Sequence, residues 1–199
     1  LSILHSNKVT VAAWIKLLSY SGEYPRIVSK LGSYELIMYP VRAGEGRLEW
    51  DISNPNSVDT ITTAANKLPL NTWTHVAATY DGSVSKIYIN GMVVAEKQTA
   101  GNLQTNANPV LIGGLKEGRY FNGVLDDVKI YKTALSQSQI QELAGITPPV
   151  VPSPSLQPSL SPSPSITPSP VPSPNANVNL LINGNFEQAN HLSNWTCQG

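Results

Sequence analysis

The stretch from Thr147 to Pro174 limits what this chain can fold into more than any other part of the sequence. It has 11 prolines among its 28 residues and no charged residue, as in VPSPSLQPSLSPSPSITPSPVPSP. Proline fixes φ and removes a backbone donor, so the stretch favours an extended conformation that rises roughly 3.1 Å per residue. It predicts a Pro/Ser-rich linker at residues 147–176, between a first domain at 1–146 and the beginning of a second at 177–199. A ligand for a proline-reading domain is the competing interpretation.

The charge balance excludes several classes of partner. The 13 Lys and Arg residues match the 13 Asp and Glu residues, so the formal net charge is zero. Without an excess of positive charge, nucleic acid is not expected as a partner. No run of 18 apolar residues occurs, so we expect no membrane insertion within this segment. The single cysteine, Cys197, has no second cysteine in this sequence to pair with.

Short alternating runs fill the first domain and predict β-strands. LEWDI, for example, places Leu48, Trp50 and Ile52 on one face of a strand and Glu49 and Asp51 on the other. The turn signals Asp81-Gly82 and Asn90-Gly91 separate neighbouring runs, and an Asn-Gly pair favours a tight hairpin. The runs are VTVAAWIK, RIVSK, YELIMY, LEWDI, WTHVAATY, KIYI, MVVAE, VLIGG and GVLDDVKIY.

One short helix is predicted after the last run. Ser136 and Gln139 have the spacing of a capping box, and Gly145 stands where a C-terminal cap belongs. An apolar stripe follows the helical period, formed by Leu135, Ile140 and Leu143. Many strands with turns between them and a single helix predict an all-β fold, an antiparallel jelly-roll β-sandwich with one short C-terminal helix.

The order of these pieces resembles the laminin-G-like, concanavalin-A-like jelly-roll family over about residues 8–143. Members usually begin with a further strand that carries acidic residues, whereas LSILHSN is short and has none, so the domain is expected to be N-terminally truncated. The tail, NLLINGNFE followed by Trp195, resembles the opening of a second β-sandwich. That kind of sandwich occurs as a carbohydrate-binding module attached to polysaccharide-degrading enzymes.

Asp126 is the first candidate metal ligand. In GVLDDVKIY, strict alternation places Val124, Asp126, Val128 and Ile130 on one face, which would bury the carboxylate among aliphatic side chains if that face points inward. A buried carboxylate needs a partner, either backbone N–H groups of a neighbouring loop or a bound cation. The family resemblance implies a structural calcium ion near this position, and both alternatives stay open.

Glu187 is the corresponding candidate in the tail. In the carbohydrate-binding modules that NGNFE resembles, the glutamate after the phenylalanine helps to coordinate a structural calcium ion. The resemblance therefore implies Glu187 as a second calcium ligand, within a second domain of which this sequence holds only the beginning.

Catalytic residues have little support in the sequence. His75 is expected to be a packed histidine, because a general base needs a second group within hydrogen-bond reach. Glu49 and Asp51 share a strand face and could meet the separation of a glycosidase pair, which is about 5 to 10 Å. Alternating acids on a half-exposed strand are nevertheless typical of a solvated face, and nothing nearby supplies the apolar surroundings that raise a carboxyl pKa. The domain is therefore not expected to be an enzyme.

Tyrosines supply the candidate ligand-binding residues. Tyr20 and Tyr24 lie in YSGEYP, a loop that Gly and Pro keep off the sheet, so their rings are candidates for stacking on sugars. The competing interpretation is that they cover the rim of the sandwich. Further aromatic candidates are Tyr34, Tyr39 and Tyr120.

Together these features favour a non-catalytic recognition module of a secreted or cell-surface protein. Its expected partner is a glycan or an extracellular protein, bound by the loops at the sandwich edge. The pairing of a lectin-like sandwich with a sugar-module-like start across a linker, a bacterial type of organisation, motivates this hypothesis. One alternative makes these regions accessory domains of a polysaccharide-degrading enzyme. Another makes the domain a structural or adhesive spacer, since one fold serves unrelated functions.

Overall fold

The structure is a computed structural model that describes residues 7–20, 23–39, 46–65, 68–99, 101–115 and 118–146. The predicted linker and the tail lie outside the described residues, and so do Glu187 and Cys197. The domain boundaries at 146 and 176 therefore stay predictions. In the described part of the chain no helix has the length and apolar character that a membrane crossing requires.

The described residues form ten strands and one helix. The strands are β1 (Val9–Leu17), β2 (Arg26–Lys30), β3 (Tyr34–Tyr39), β4 (Arg47–Asn54), β5 (Ser57–Thr62), β6 (Trp73–Tyr80), β7 (Val84–Ile89), β8 (Met92–Gln98), β9 (Leu111–Ile112) and β10 (Gly123–Tyr131). The helix is α1 (Gln137–Leu143). Each run predicted from the sequence corresponds to one of these strands.

The strands make two five-stranded antiparallel sheets. Sheet I has the order β10-β1-β6-β7-β8, and sheet II has the order β5-β4-β3-β2-β9. The two sheets face each other across one hydrophobic core. The predicted all-β sandwich is confirmed, and VTVAAWIK is the central strand β1, flanked by β10 and β6.

Successive side chains of each strand point alternately into the core and to the outer side of the sheet. In β6, Val76, Ala78 and Tyr80 point into the core between the sheets, whereas Ala77 points to the outer side of sheet I. From sheet II, the fully buried rings of Trp50 and Tyr34 lie against each other with centroids 6.0 Å apart. Burial of a large aliphatic side chain such as Leu48 in this core contributes about 1.5 to 3 kcal/mol.

Helix α1 covers part of the outer side of sheet I. Leu135 and Ile140 are buried there in a second apolar cluster that includes Ala77 and Tyr88. The predicted capping box is present, since Ser136 Oγ accepts from the Gln139 N–H and the Gln139 side chain accepts from the Ser136 N–H. The structure thus confirms the helix and its start.

The Asn90-Gly91 hairpin is also confirmed. Both residues have positive φ, 46° and 75°, as a type I′ turn requires. Asn90 also fixes the start of β6, because its Oδ1 accepts a hydrogen bond from the His75 N–H at 3.0 Å.

Strand β5 (Ser57–Thr62) was not predicted from the sequence. It lies at the edge of sheet II and pairs only with β4. Of its six residues only Ile61 is buried in the core, so SVDTIT lacks the alternation that identifies a half-buried strand. An edge strand with so few inward contacts carries a weak hydrophobic pattern.

A β-bulge in β10 changes the faces expected for GVLDDVKIY. The pairing with β1 shifts register between Ala12 and Trp14, and Asp127 has a φ of 49°. The extra residue reverses the alternation, so that Leu125, Val128 and Ile130 enter the core. The expectation that Asp126 shares an inward face with Val128 and Ile130 is therefore wrong.

Candidate functional site

The outer side of sheet II gathers three carboxylates on two neighbouring strands. Because Leu36, Leu48 and Trp50 point into the core, alternation turns their neighbours outward. Glu35 of β3 lies directly opposite Asp51 of β4. We call this surface the carboxylate face, and its members are Arg26, Ser29, Glu35, Ile37, Glu49, Asp51 and Thr60.

Two cross-strand rows organise the carboxylate face. The first row runs from Arg26 through Ile37 to Glu49, and the second runs from Ser29 through Glu35 and Asp51 to Thr60. Directly opposed side chains have Cβ atoms about 4.5 to 5.5 Å apart. In the first row, Ile37 therefore lies between the Arg26 guanidinium and the Glu49 carboxylate.

Glu35 forms an ion pair with Arg26. Arg26 Nε donates to Glu35 Oε1 at 3.2 Å, and Ser29 Oγ donates to the same oxygen at 2.5 Å. Arg26 is 5% exposed, and its Nη1 donates to the Tyr24 carbonyl oxygen at 2.6 Å. The guanidinium is thus held by Glu35 and the backbone rather than by Glu49.

Glu49 is largely buried as a residue, but its carboxylate oxygens are not among the buried atoms without a partner in the described part of the chain, so they stay open to solvent. It is 7% exposed, and no described residue donates a hydrogen bond to it or forms an ion pair with it. Burial raises the pKa of Glu49 to about 7; the Asp51 and Glu35 charges also raise it, and the Arg26 charge lowers it. The expectation that Glu49 lies on an ordinary solvated face is therefore wrong, and packing beside Ile37 explains why.

Asp51 has a hydrogen-bond partner on one of its two carboxylate oxygens. Thr60 Oγ1 donates to Asp51 Oδ1 at 2.6 Å. Burial raises the pKa of Asp51, the Thr60 hydrogen bond lowers it, and the Glu35 charge raises it. Two neighbouring carboxyl groups with raised pKa values on one exposed sheet side are characteristic of functional sites.

Tyr24, one of the two predicted stacking residues, lies at the margin of the carboxylate face. Its ring meets the Tyr39 ring edge to face, with centroids 5.8 Å apart, and the Arg119 guanidinium carbon lies 5.9 Å from its centroid. Tyr39 projects from β3 on the same side as Glu35. We call Tyr24, Tyr39 and Arg119 the aromatic edge.

Tyr20, the other predicted stacking residue, faces different neighbours. Its hydroxyl donates to the Leu68 carbonyl oxygen at 2.7 Å, and its half-buried ring packs against the core. Tyr34, also an aromatic candidate, is fully buried and cannot meet a ligand, whereas Tyr120 is 52% exposed. The structure therefore brings Tyr24, and not Tyr20, beside the carboxylate face.

Asp126 lies on the outer side of sheet I, away from the carboxylate face. It pairs in register with Trp14, and its Oδ1 accepts a hydrogen bond from the Asp127 N–H at 2.7 Å. Among the residues that the structure describes, no group of three or more His, Cys, Asp or Glu side chains is arranged to hold a metal ion. These residues do not by themselves supply a calcium donor set at Asp126, so calcium there stays a prediction.

His75 lies on the same side of sheet I and is packed, as expected. It is 2% exposed, and its ring meets Trp14 edge to face at 5.5 Å. Burial lowers the pKa of His75 to about 4; the Lys129 charge also lowers it, and the Asp127 charge raises it. The imidazole is therefore neutral near pH 7 and part of the packing.

The comparisons with known proteins concern this same sandwich. A family model described as the concanavalin A-like lectin/glucanases superfamily matches residues 2–141. The curated adhesion G-protein coupled receptor V1 of Danio rerio is 26% identical over 144 residues. That match covers 67% of this chain and 2% of the receptor, so the chain spans a very small part of this relative.

Two solved structures have a similar fold. Domain 4 of AbnA, a GH43 extracellular arabinanase from Geobacillus stearothermophilus in complex with arabinotriose, is 23% identical, with a TM-score of 0.55, 72% of this chain covered and 69% of that one. The CBM40 of the Ruminococcus gnavus IT-sialidase, bound to α2,3 sialyllactose, is 16% identical, with a TM-score of 0.58 and coverages of 70% and 84%. At these identities the likeness shows the fold alone.

Replacing Glu49 by Gln is expected to stabilise the fold at high pH. The pKa of Glu49 is raised on folding, so the folded state binds the proton more tightly, and stability falls as pH rises from about 4.3 through about 7. At pH 8 the ionised carboxylate opposes folding, and Glu49→Gln should add about 1 to 2 kcal/mol to the free energy of unfolding, which is less than the full pKa shift implies because solvent screens the carboxylate. Near pH 4 the two proteins should be equally stable.

Urea unfolding of both proteins from pH 4 to pH 8 measures this difference. Glu96→Gln is the control, because Glu96 lies half-exposed on β8 in an ion pair with Lys86 and its substitution should give no gain. An equal gain in the free energy of unfolding from Glu49→Gln at pH 4 and pH 8 would show that the gain does not come from removing an ionised carboxylate.

Replacing Asp126 separates the two roles that the sequence left open. Asp126→Ala removes the acceptor for the Asp127 N–H and should cost about 1 kcal/mol of stability in calcium and in chelator alike. Asp126→Asn keeps an acceptor and should stay close to the parent protein. Thermal melts in both conditions measure this, and a loss for both variants seen only in calcium would assign Asp126 to a metal site instead.

Proposed function

The chain belongs to the concanavalin A-like lectin/glucanases superfamily, and we propose that its described domain is a non-catalytic recognition module that binds glycan at the carboxylate face. The observation that carries the proposal is the Glu49 carboxylate, which belongs to a largely buried residue, has no partner among the described residues and opposes folding when it is ionised. Groups kept at a cost in stability cluster where a ligand or substrate is bound.

The chemistry of the carboxylate face suits sugar hydroxyls. An ionised carboxylate accepts hydrogen bonds at two oxygens and donates none, and hydroxyl groups are donors of the matching kind. Asp51 keeps one oxygen outside its hydrogen bond with Thr60, and Glu49 keeps both. Hydrogen bonds to charged acceptors are roughly twice as strong as those between neutral groups.

The aromatic edge supplies the apolar part of a sugar site. Tyr24 and Tyr39 stand side by side where β2 begins and β3 ends, and Arg119 lies over the outer ring. Arg26 joins this edge to the carboxylate face, because it hydrogen-bonds both the Tyr24 carbonyl oxygen and Glu35. A tyrosine ring can stack on the C–H side of a sugar while carboxylates take its hydroxyls.

The similar structures support glycan as the ligand class. One is described in complex with arabinotriose and the other bound to sialyllactose, and both share this sandwich fold. A secreted or cell-surface location belongs to the same proposal, because one of them is part of an extracellular arabinanase. The Pro/Ser-rich linker would then hold the domain away from its neighbour in a longer protein.

Binding should be measured with the full 199-residue chain on a broad glycan array, followed by titration of the best ligand. We expect Tyr24→Ala to weaken binding about five- to ten-fold, because it removes a stacking ring worth about 1 kcal/mol. Trp73→Ala is the control, since Trp73 is an exposed ring (41%) that projects from sheet I.

Three outcomes would contradict the proposal. Absence of any glycan binding would leave a protein ligand or a spacer role. Equal losses in the Tyr24 and Trp73 variants would place the site elsewhere. Release of reducing ends that Glu49→Gln abolishes would assign hydrolysis, for which a carboxyl group with a near-neutral pKa beside a second carboxylate is suited.

A further inference from the structure

We infer that the first part of the proline-rich segment, residues 147–154, binds to the outer side of its own domain, over Trp73 and Trp14. This inference concerns sheet I and does not depend on glycan binding at the carboxylate face. The sequence of this part is TPPVVPSP, with four prolines, two valines and no charged residue. It lies outside the described residues, whereas the surface that receives it is described.

The receiving surface is the part of sheet I that helix α1 leaves uncovered. The helix packs over Ala77 and Tyr88. Beyond it, alternation places Trp14 and Lys16 of β1 and Trp73 of β6 on the same outer side. Trp73 is 41% exposed, and Trp14 and Lys16 are half-buried. We call Trp14, Lys16 and Trp73 the tryptophan face.

The tryptophan face offers both an apolar surface and hydrogen-bond donors. Lys16 Nζ lies 5.4 Å from the centroid of the Trp73 ring, and the Lys16 side chain forms no hydrogen bond or ion pair with the described residues. Extended proline-rich segments bind to aromatic surfaces, and their backbone carbonyl groups make no internal hydrogen bonds. An ammonium and an indole N–H are donors only, so they match those carbonyl oxygens.

Helix α1 delivers the chain to the border of this face. Ile146, the last described residue, donates its N–H to the Gln141 carbonyl oxygen at 2.8 Å. Its side chain lies over Gly91, where an added Cβ would be 3.3 Å from Ile146 Cδ1. The adjoining Asn90 donates its N–H to the His75 carbonyl oxygen at 2.8 Å. The segment that follows Ile146 therefore starts beside the first residues of β6.

The distance to Trp73 is short enough for this segment. His75 pairs with Trp14 across the sheet and lies two residues after Trp73. The path from Ile146 through Gly91 and His75 to Trp73 is therefore about 20 Å between Cα atoms. An extended proline-rich chain rises about 3.1 Å per residue, so eight residues span about 25 Å. Residues 147–154 can cross the tryptophan face and leave residues 155–174 as the spacer.

The direct attachment to α1 favours this segment over a separate ligand. A short tether presents its segment at an effective concentration on the order of 1 mM, so contacts that are too weak for a free peptide can still hold it. The segment also has no charge that would need a partner on the tryptophan face. We therefore assign the face to the chain's own segment, bound within one molecule.

The test measures how fast hydroxyl radicals oxidise each tryptophan of the full 199-residue chain, with mass spectrometry to assign the products. The proximal variant carries Pro148→Ser, Pro149→Ser and Pro152→Ser. Its Trp73 should be oxidised at least about three-fold faster than in the parent, as expected if the segment covers that ring for about two thirds of the time or more. Trp50, fully buried in the core, is the internal reference.

A distal variant is the matched control. It carries Pro164→Ser, Pro168→Ser and Pro170→Ser, which remove the same number of prolines outside residues 147–154. Its Trp73 oxidation should equal that of the parent. A peptide of residues 147–156, added to the proximal variant, should restore the protection and shift the NMR signal of the Trp73 indole N–H, assigned with Trp73→Phe. Thermal melts verify that the variants are folded.

Several results would overturn the inference. Equal Trp73 oxidation in the parent and the proximal variant would show that the segment does not cover the ring. Equal acceleration in both variants would remove the special role of residues 147–154. Protection that increases with protein concentration would assign the face to the segment of a second copy. Glycan binding is measured through Tyr24 on the other sheet, so its failure and the failure of this inference are distinguishable.

Discussion

The burial of Trp50 and its neighbours between the two sheets determines where every other group of the domain lies. Strand side chains alternate strictly, so packing Leu48 and Trp50 inward fixes Glu49 and Asp51 outward on β4. The same constraint acts on β3, where Leu36 is inside and Glu35 is outside. Register then brings Glu35 opposite Asp51 and Ile37 opposite Glu49. The carboxylate face is thus a consequence of the core, and a register shift of one residue would destroy both.

Ionisation of Glu49 on the carboxylate face opposes folding, and the proposed function rests on that cost. Ile37 packs beside Glu49 and covers most of that residue, and the Arg26 guanidinium is held by Glu35. An ionised group in such a place weakens folding unless a ligand supplies the missing donors. By contrast, His75 on the other sheet avoids the same cost by remaining neutral, since its pKa is lowered to about 4. Burial thus shifts the pKa values of Glu49 and His75 in opposite directions, and in both cases it favours the neutral form.

Much of the fold could be predicted from the sequence, because the strong signals are local. The Asn90-Gly91 turn, the Ser136 capping box and the alternation of β6 each depend on a few neighbouring residues. Strand β5 was missed because an edge strand buries little apolar surface. The predicted inward face of β10 was wrong because of the bulge at Asp127. That bulge depends on how β10 pairs with β1, which the sequence of β10 alone does not reveal. The burial of Glu49 could not be predicted for the same kind of reason, because it comes from Ile37 and from register across strands. Tyr24 was proposed from its loop alone, and its role in binding stays a prediction.

The proposed site depends on a Glu49 carboxyl group that belongs to a largely buried residue, has no partner among the described residues and stays open to a ligand. The most direct test is a pH titration of its side-chain carboxyl carbon by NMR, assigned by comparison with the Glu49→Gln variant. A midpoint near pH 7 in the free protein is the result expected from the structure, with a downward shift when a glycan that donates hydrogen bonds to the carboxylate binds. A midpoint near the ordinary value of about 4.3, unchanged by any ligand, would contradict the claim.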